Sequence, residues 1–441
     1  MKIYSKSLRC CALAALLGAS PMALAQAGGA NKRAQRIPDP DAAELNNLLK
    51  AAQEAAEKKD YAAAAENYRQ YLAKKPDDAF IHFQLGYAYS ALQRFTDAQA
   101  EYEKTISLDP KMAAAYLNLG LTLLDRDPAS AITPLQKAVK LIPNDAEPRY
   151  LLGAALERSG KTPEAIEQYE AAEKLDDKSF DVRFALGRIL LTANRPADAE
   201  REFRAALALH PESEPAHLGL AQSLLAQKKK EAAAAELGAY LEKQPGDLKA
   251  RVEHASVLVD LGKNEGALAE LDRVAAAGPE NLQALELRSL IYFQMKRYDD
   301  TISTLQKAEA LAPEDADIRA RLGHVYLEKK NYPEAIRELG AAFRLNPSAN
   351  DVLGDLVAAQ YLNKNYAAAL KGLDLLASRE NLPLGTLFIR ATCYDKLGQA
   401  AEALDAYQKF LSQNTDQKSD MYFEATARLR FLTRELQDKK R

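Results

Sequence analysis

The residues of this chain best suited to catalysis or metal binding are five histidines and a late cysteine. His82, His210, His217, His254 and His324 fall in no HExxH arrangement, and none has a cysteine nearby. They read as ordinary packed or half-buried side chains. Cys393 sits in an apolar stretch just before Asp395 and Lys396, a setting for a small core residue rather than a nucleophile. No glycine-rich phosphate cradle and no glycine-flanked serine occurs. Carboxylates are plentiful, but they alternate with lysine and arginine along helical faces, where a solvated surface is the default. The chain therefore reads as a non-enzyme, with no catalytic residue, no metal ligand and no cofactor. What remains is chemistry of contact.

The elements that carry those contacts follow from composition. Tryptophan is absent and alanine abundant, which favours closely packed helices over a sheet protein. Residues 1–27 are set aside first. Lys2, Lys6 and Arg9 precede an apolar run from Cys10 to about Leu24, with small-residue cleavage positions at Ala25 and Ala27, as in a secretory signal peptide. An uncleaved anchor is the alternative. No later segment reaches a membrane-spanning length. Loss of the signal takes three of the 59 basic residues and none of the 62 acids, leaving a net charge of about −6. A mildly acidic surface argues against nucleic acid as a partner. Cys10 and Cys11 leave with the signal, so Cys393 has no partner for an intramolecular disulfide. Residues 28–44 hold a flexible linker, GGANKRAQRIPDPD, and the start of the first helix.

From Leu45 a 34-residue period takes over. Pro76, Pro110, Pro143, Pro211, Pro245, Pro279, Pro313 and Pro347 mark successive unit ends, with Asp177 in the one missing place. Each unit predicts two amphipathic helices of about 13 residues. Small residues recur at the eighth position (Gly86, Gly120, Gly187, Ala221, Gly323) and the twentieth (Ala64, Ala98, Ala131, Ala165, Ala199). Facing helices can therefore approach closely, with larger residues at the twenty-fourth position, such as Tyr102 and Phe203, filling the groove beside them. The closing proline turns the chain into the next unit.

LGYAYSALQRFTDAQAEYEKTISLDP and LGHVYLEKKNYPEAIRELGAAFRLNP carry this pattern most fully, and in it the chain resembles the tetratricopeptide repeat family. The resemblance covers about residues 45–417 and implies an all-α fold: a right-handed α-solenoid of antiparallel helix pairs, a tetratricopeptide superhelix with a C-terminal capping helix. Eleven units are expected, at 45–78, 79–112, 113–145, 146–179, 180–213, 214–247, 248–281, 282–315, 316–349, 350–383 and 384–417, followed by a capping helix and basic tail at 418–441. The family's tryptophan at position four is missing throughout; His82, Tyr116, Arg183 and His217 are among the residues that stand there. The turn at Asp125–Pro128 is one residue short, and Pro134 inside the next helix suggests a bend. From Asp420 to Gln437 one more amphipathic helix, with Arg428, Arg430, Arg434 and Glu435 on its outer face, reads as a solvating cap.

Function then rests on the concave wall, which the resemblance places at positions two, five, nine, twelve and thirteen of each first helix. Carried onto this chain, these give candidate groove contacts Phe80, Phe83, Tyr87, Leu117, Leu121, Tyr150, Phe184 and Arg188: an aromatic and aliphatic trough. Further along, Glu286, Phe293, Gln294, Asp317, His324, Glu328, Tyr361 and Asp395 make a more polar, acidic lining. The wall leucines can equally be packing between adjacent first helices. Position five lacks the cations that clamp a carboxylate tail, and position six lacks the asparagine ladder of sugar-transferase repeats. The resemblance points to a scaffold or adaptor that binds protein or peptide partners, exported to the periplasm of a bacterial envelope or secreted. The alternative is a polysaccharide-binding module, since wall tyrosines can stack on sugars.

Overall fold

A computed structural model describes residues 40–278, 281–379 and 381–438. The signal-peptide and linker assignments before residue 40, Pro279 and the end of the basic tail lie outside the described residues. Among the described residues the chain is helical with no strand, and it divides into two units, one ending at Ser159 and one beginning at Gly160.

The first unit holds α1 (Pro40–Glu57), α2 (Tyr61–Lys74), α3 (Ala79–Ala91), α4 (Phe95–Leu108), α5 (Ala113–Leu124), α6 (Pro128–Leu141) and α7 (Ala146–Arg158). The second holds α8 (Thr162–Leu175), α9 (Phe180–Thr192), α10 (Pro196–Leu209), α11 (Glu214–Ala226), α12 (Lys230–Lys243), α13 (Leu248–Asp260), α14 (Asn264–Ala277) and α15 (Leu282–Gln294). It continues through α16 (Tyr298–Leu311), α17 (Ala316–Glu328), α18 (Tyr332–Leu345), α19 (Asn350–Leu362), α20 (Tyr366–Arg379), α21 (Leu384–Lys396), α22 (Ala400–Gln413) and α23 (Asp420–Asp438). Within each unit every helix packs on its sequence neighbours, as in an all-α solenoid of antiparallel helix pairs.

Small residues explain the pairing. Ala64, Ala98, Ala131, Ala165 and Ala199 are fully buried, as are their equivalents later in the chain. A Cβ on Gly86 would lie 2.9 Å from the Tyr102 ring, and one on Gly219 would lie 2.4 Å from Phe203 Cζ. These glycines let large second-helix side chains, themselves completely enclosed, lie directly against a first-helix backbone.

The turn inside each pair is equally regular. Gln93 (φ 60°), Asn194 (57°), Lys228 (61°), Lys296 (56°), Lys330 (61°) and Gly262 (71°) all take the left-handed conformation. The residue after each bonds back five positions, as Arg94 N–H does to Tyr89 O (2.8 Å) and Asn331 N–H to Tyr326 O (2.8 Å). This double closure satisfies the last carbonyls of the first helix. At Asp125–Pro128 the deletion removes the left-handed residue. Asp127 N–H bonds to Leu123 O (2.8 Å), and the Asp127 carboxylate accepts from Ser130 N–H (3.1 Å) to start α6. Those bonds from Ser130 hold the Asp127 carboxyl below its ordinary range. Pro134 is buried inside α6, which runs on to Leu141.

The final helix departs from expectation. Arg428, though partly exposed, is tied down: its guanidinium donates two 2.6 Å bonds to Asp395 on α21. The exposed side of α23 instead shows Phe423 (63 % exposed) and Phe431 (54 %). Ala425 and Leu432 take the buried face, so the exposed side of the cap is partly apolar.

Candidate functional site: a groove on the first-helix wall

The candidates expected in the N-terminal part of the wall differ in exposure. Phe83 is a core residue, 6 % exposed, with its ring 5.8 Å from that of Tyr102. Its helix is rotated so that position five points at the second helix, and it offers a ligand almost nothing. Phe80 is half exposed but stands at the edge, beside the Lys74–Asp78 turn, Asp109 and Met112. Tyr87 is half-buried with its ring edge-on to Tyr61 at 6.1 Å. Leu117, Leu121 and Tyr150 are also half-buried. In the second unit, Phe184 lies flat against Phe180 (5.7 Å, 10°) and edge-on to Phe203, while Arg188 is exposed.

A formed cavity of about 590 Å³ lies elsewhere, on the first-helix wall of the second unit. Side chains of α13, α15, α17 and α19 line it, with Thr301 and Leu305 from α16 and Leu339 from α18 behind them. Leu305, Val325 and Leu339 are buried and form an apolar floor; Leu287, Phe293 and Val352 are half-buried, and Leu290 is 44 % exposed at the rim. Five ionisable groups converge on this surface: Glu286, Arg321, His324, Asp351 and Asp355.

Local sequence explains why space opens here. The fifth position, filled by Phe83 and Phe184 in earlier units, shrinks to Ala320 in α17 and Gly354 in α19. A Cβ on Gly354 would meet nothing within 4 Å. Of these two small residues, Ala320 lines the cavity. That shrinkage is visible in the sequence, and it is the signal that could have located the site.

The polar groups are partly tied to one another. Arg321 Nη1 stands 3.8 Å from Glu286 Oε1, and His324 Nδ1 2.9 Å from Asp355 Oδ2. The Asp355 hydrogen bond chiefly holds the His324 pKa above its ordinary value, with further help from the charges of Asp355 and Glu328; partial burial opposes them. The His324 ring also leans on Phe293 at 5.7 Å. Of the acidic lining read from sequence, Glu286, Phe293 and His324 come together here. Asp395 does not, because Arg428 holds it. Arg321, Asp351 and Asp355 are members the sequence reading missed.

The other titratable candidates are accounted for structurally. His82 and His217 bridge Glu101 and Glu236 to a preceding-turn carbonyl. Burial foremost lowers the His254 pKa. His210 packs edge-on to Phe180 at 4.8 Å. Burial pushes the Cys393 thiol up to about 11, which leaves it a thiol at neutral pH. Among the described residues no group of three potential metal ligands occurs, and no helix is long and apolar enough to cross a membrane.

Comparison with known proteins adds the lineage. A tetratricopeptide repeat model matches residues 83–146, 125–180, 184–247, 252–316 and 320–383, and two further tetratricopeptide repeat models match 292–343 and 386–416. Protein SGT1 homolog of Bos taurus is 29 % identical over 106 residues, 24 % of this chain and 31 % of the bovine protein, so the chain spans about a third of that relative's length. Among solved structures, the MamA protein is 24 % identical with a TM-score of 0.37, covering 38 % of this chain and 93 % of its own. YrrB, described as a TPR protein with an unusual peptide-binding site, is 22 % identical with a TM-score of 0.39, covering 42 % and 97 %. The model matches fall across well over half of the sequence, and the chain belongs to the tetratricopeptide repeat family.

Proposed function

We propose that this protein is a non-catalytic scaffold that binds a partner protein through the groove between Ser256 and Asp355. One observation carries the reading: a cavity of about 590 Å³ on the first-helix wall, with an apolar floor and convergent polar groups at its rim. That combination suits side-chain recognition, because burial supplies affinity and fixed polar groups supply orientation. Export accompanies the proposal, on the strength of Lys2, Lys6 and Arg9 ahead of the apolar run to Leu24. The periplasm is the compartment proposed.

Panning a random peptide library on the purified protein tests the binding role. Enrichment should appear with the wild type and vanish with Ala320→Phe, which restores the bulky fifth-position residue of earlier units. No enrichment, or enrichment indifferent to Ala320→Phe, would sink the groove. Oligosaccharide signals on a glycan array without peptide enrichment would install the polysaccharide reading instead. Mass spectrometry of the exported chain should find an N-terminus following Ala25 or Ala27.

A further inference from the structure

We infer that the groove's ligand is a cationic segment, an apolar anchor residue flanked by lysine or arginine. This rests on the peptide-binding reading above and specifies it. Three carboxylates, Glu286, Asp351 and Asp355, face a single guanidinium, Arg321, and one histidine. Arg321 stands 3.8 Å from Glu286 and His324 Nδ1 2.9 Å from Asp355, so each basic group already faces one carboxylate and Asp351 is the third. Asp351 is exposed at the opposite rim, on the first turn of α19. The surface is therefore acidic at the α19 side and apolar in the middle.

Geometry assigns the two parts of the ligand. Ala320 lines the cavity with Leu305, Val325 and Leu339, where a leucine or phenylalanine side chain would lose its water. A guanidinium or ammonium next to that anchor would meet Asp351 and Asp355. Beside an apolar floor, charge attraction is weakened less than in open water, so a cation gains and an anion is rejected. An acidic peptide would bring like charges together at the same place. The carboxylate-clamping chemistry of other repeats is thus inverted here.

The test uses three fluorescein-labelled 12-residue peptides identical in leucine and alanine content, with arginine, serine or glutamate at the remaining positions. Fluorescence anisotropy on the full chain should rank arginine first by about tenfold over serine, a gap that shrinks at high ionic strength. In the double variant Asp351→Asn/Asp355→Asn the arginine peptide should fall to the serine level, with thermal unfolding by circular dichroism showing the variant folded. Serine or glutamate peptides that bind as tightly as arginine would overturn the cationic assignment and leave the peptide-binding groove standing. Arginine binding that survives the double variant would overturn it too, by placing the cation elsewhere. Binding of none of the three would remove both.

Discussion

Arg183 and Glu202 stand nineteen residues apart in sequence and 2.9 Å apart in space, joining the two helices of one repeat. The same guanidinium reaches back to Asp177 O at 2.8 Å, the carbonyl that ends the preceding repeat. This three-way staple recurs at the same offsets. His82 links Glu101 (2.6 Å) to Pro76 O (2.9 Å), and His217 links Glu236 (2.6 Å) to Pro211 O (3.0 Å). Arg319 links Glu338 (3.2 Å) to Pro313 O (3.1 Å), and Arg251 links Glu270 to Pro245 O. In each case the arginine or histidine occupies position four, where the family carries tryptophan. A hydrogen-bonded polar bridge stands in the tryptophan's place.

Removing one partner of such a bridge leaves a buried carboxylate short of a donor. Glu202 is 1 % exposed and keeps only the Arg201 bond at 2.9 Å when Arg183 is lost, so Arg183→Met should destabilise the protein by about 1.5–3 kcal/mol, whereas Asp97→Asn, which breaks the exposed Arg94–Asp97 pair, should change stability by less than about 1 kcal/mol. Urea unfolding followed by circular dichroism measures both. Equal effects would mean that Arg201 alone satisfies Glu202.

Two glycines on neighbouring first helices should respond to alanine with opposite signs. A Cβ on Gly323 would lie 2.4 Å from Leu339 Cγ and 3.0 Å from its backbone nitrogen, while one on Gly354 meets open space. Gly323→Ala is expected to destabilise by about 1–3 kcal/mol through overpacking. Gly354→Ala is expected to stabilise by about 0.5–1 kcal/mol, because alanine restricts the unfolded chain and fits α19. Thermal melts of the two single variants give the comparison.

Two histidines should link stability to pH in opposite directions. Asp355 raises the His324 pKa, so His324 contributes stability that is fully present below its ordinary value of about 6.5 and lost as pH climbs through the raised folded value. Burial lowers that of His254, so its unfavourable protonation removes stability as pH drops below about 6.5 toward the folded value. His324→Gln should flatten the loss on the alkaline side, and His254→Gln the loss on the acid side. Unfolding midpoints collected from acid to neutral pH would show the two slopes. Two variants with identical profiles would contradict both assignments.

The cap offers a fourth contrast. Arg428 holds Asp395 with two bonds, and its guanidinium lies 4.8 Å over the Phe431 ring. Asp395→Ala should speed hydrogen exchange throughout α23, whereas Phe423→Ser should leave it unchanged and improve solubility, since that ring is mostly in water.

Why the fold was so legible and the site less so can be seen at two positions. Gly86 and Ala98 report directly on how close two helices come, because only small residues permit that approach, and the structure places Tyr102 against them as their spacing requires. Phe83 shows the limit. A one-residue rotation of about 100° separates a wall residue from a core residue on a helix, and nothing in an aromatic letter fixes that rotation. The groove at Ala320 depends on a bulky side chain that is missing, which a search for conspicuous aromatic residues passes over.

The staples also set where the array can come apart. Position four is leucine at Leu285, Leu353 and Leu387, and leucine can bond neither a neighbouring carbonyl nor a glutamate. Arginines elsewhere bridge these joints, Arg288 to Asp272, Arg379 to Pro347 O and Arg390 to Asp374, but the staple at position four is missing, so local opening should begin there and spread until it meets a stapled repeat. Proteases should find these hinges first. The groove spans two of the three, from the joint ahead of Leu285 to the one ahead of Leu353, so a ligand lying across it would act as a splint, and its binding should be readable as slower cleavage.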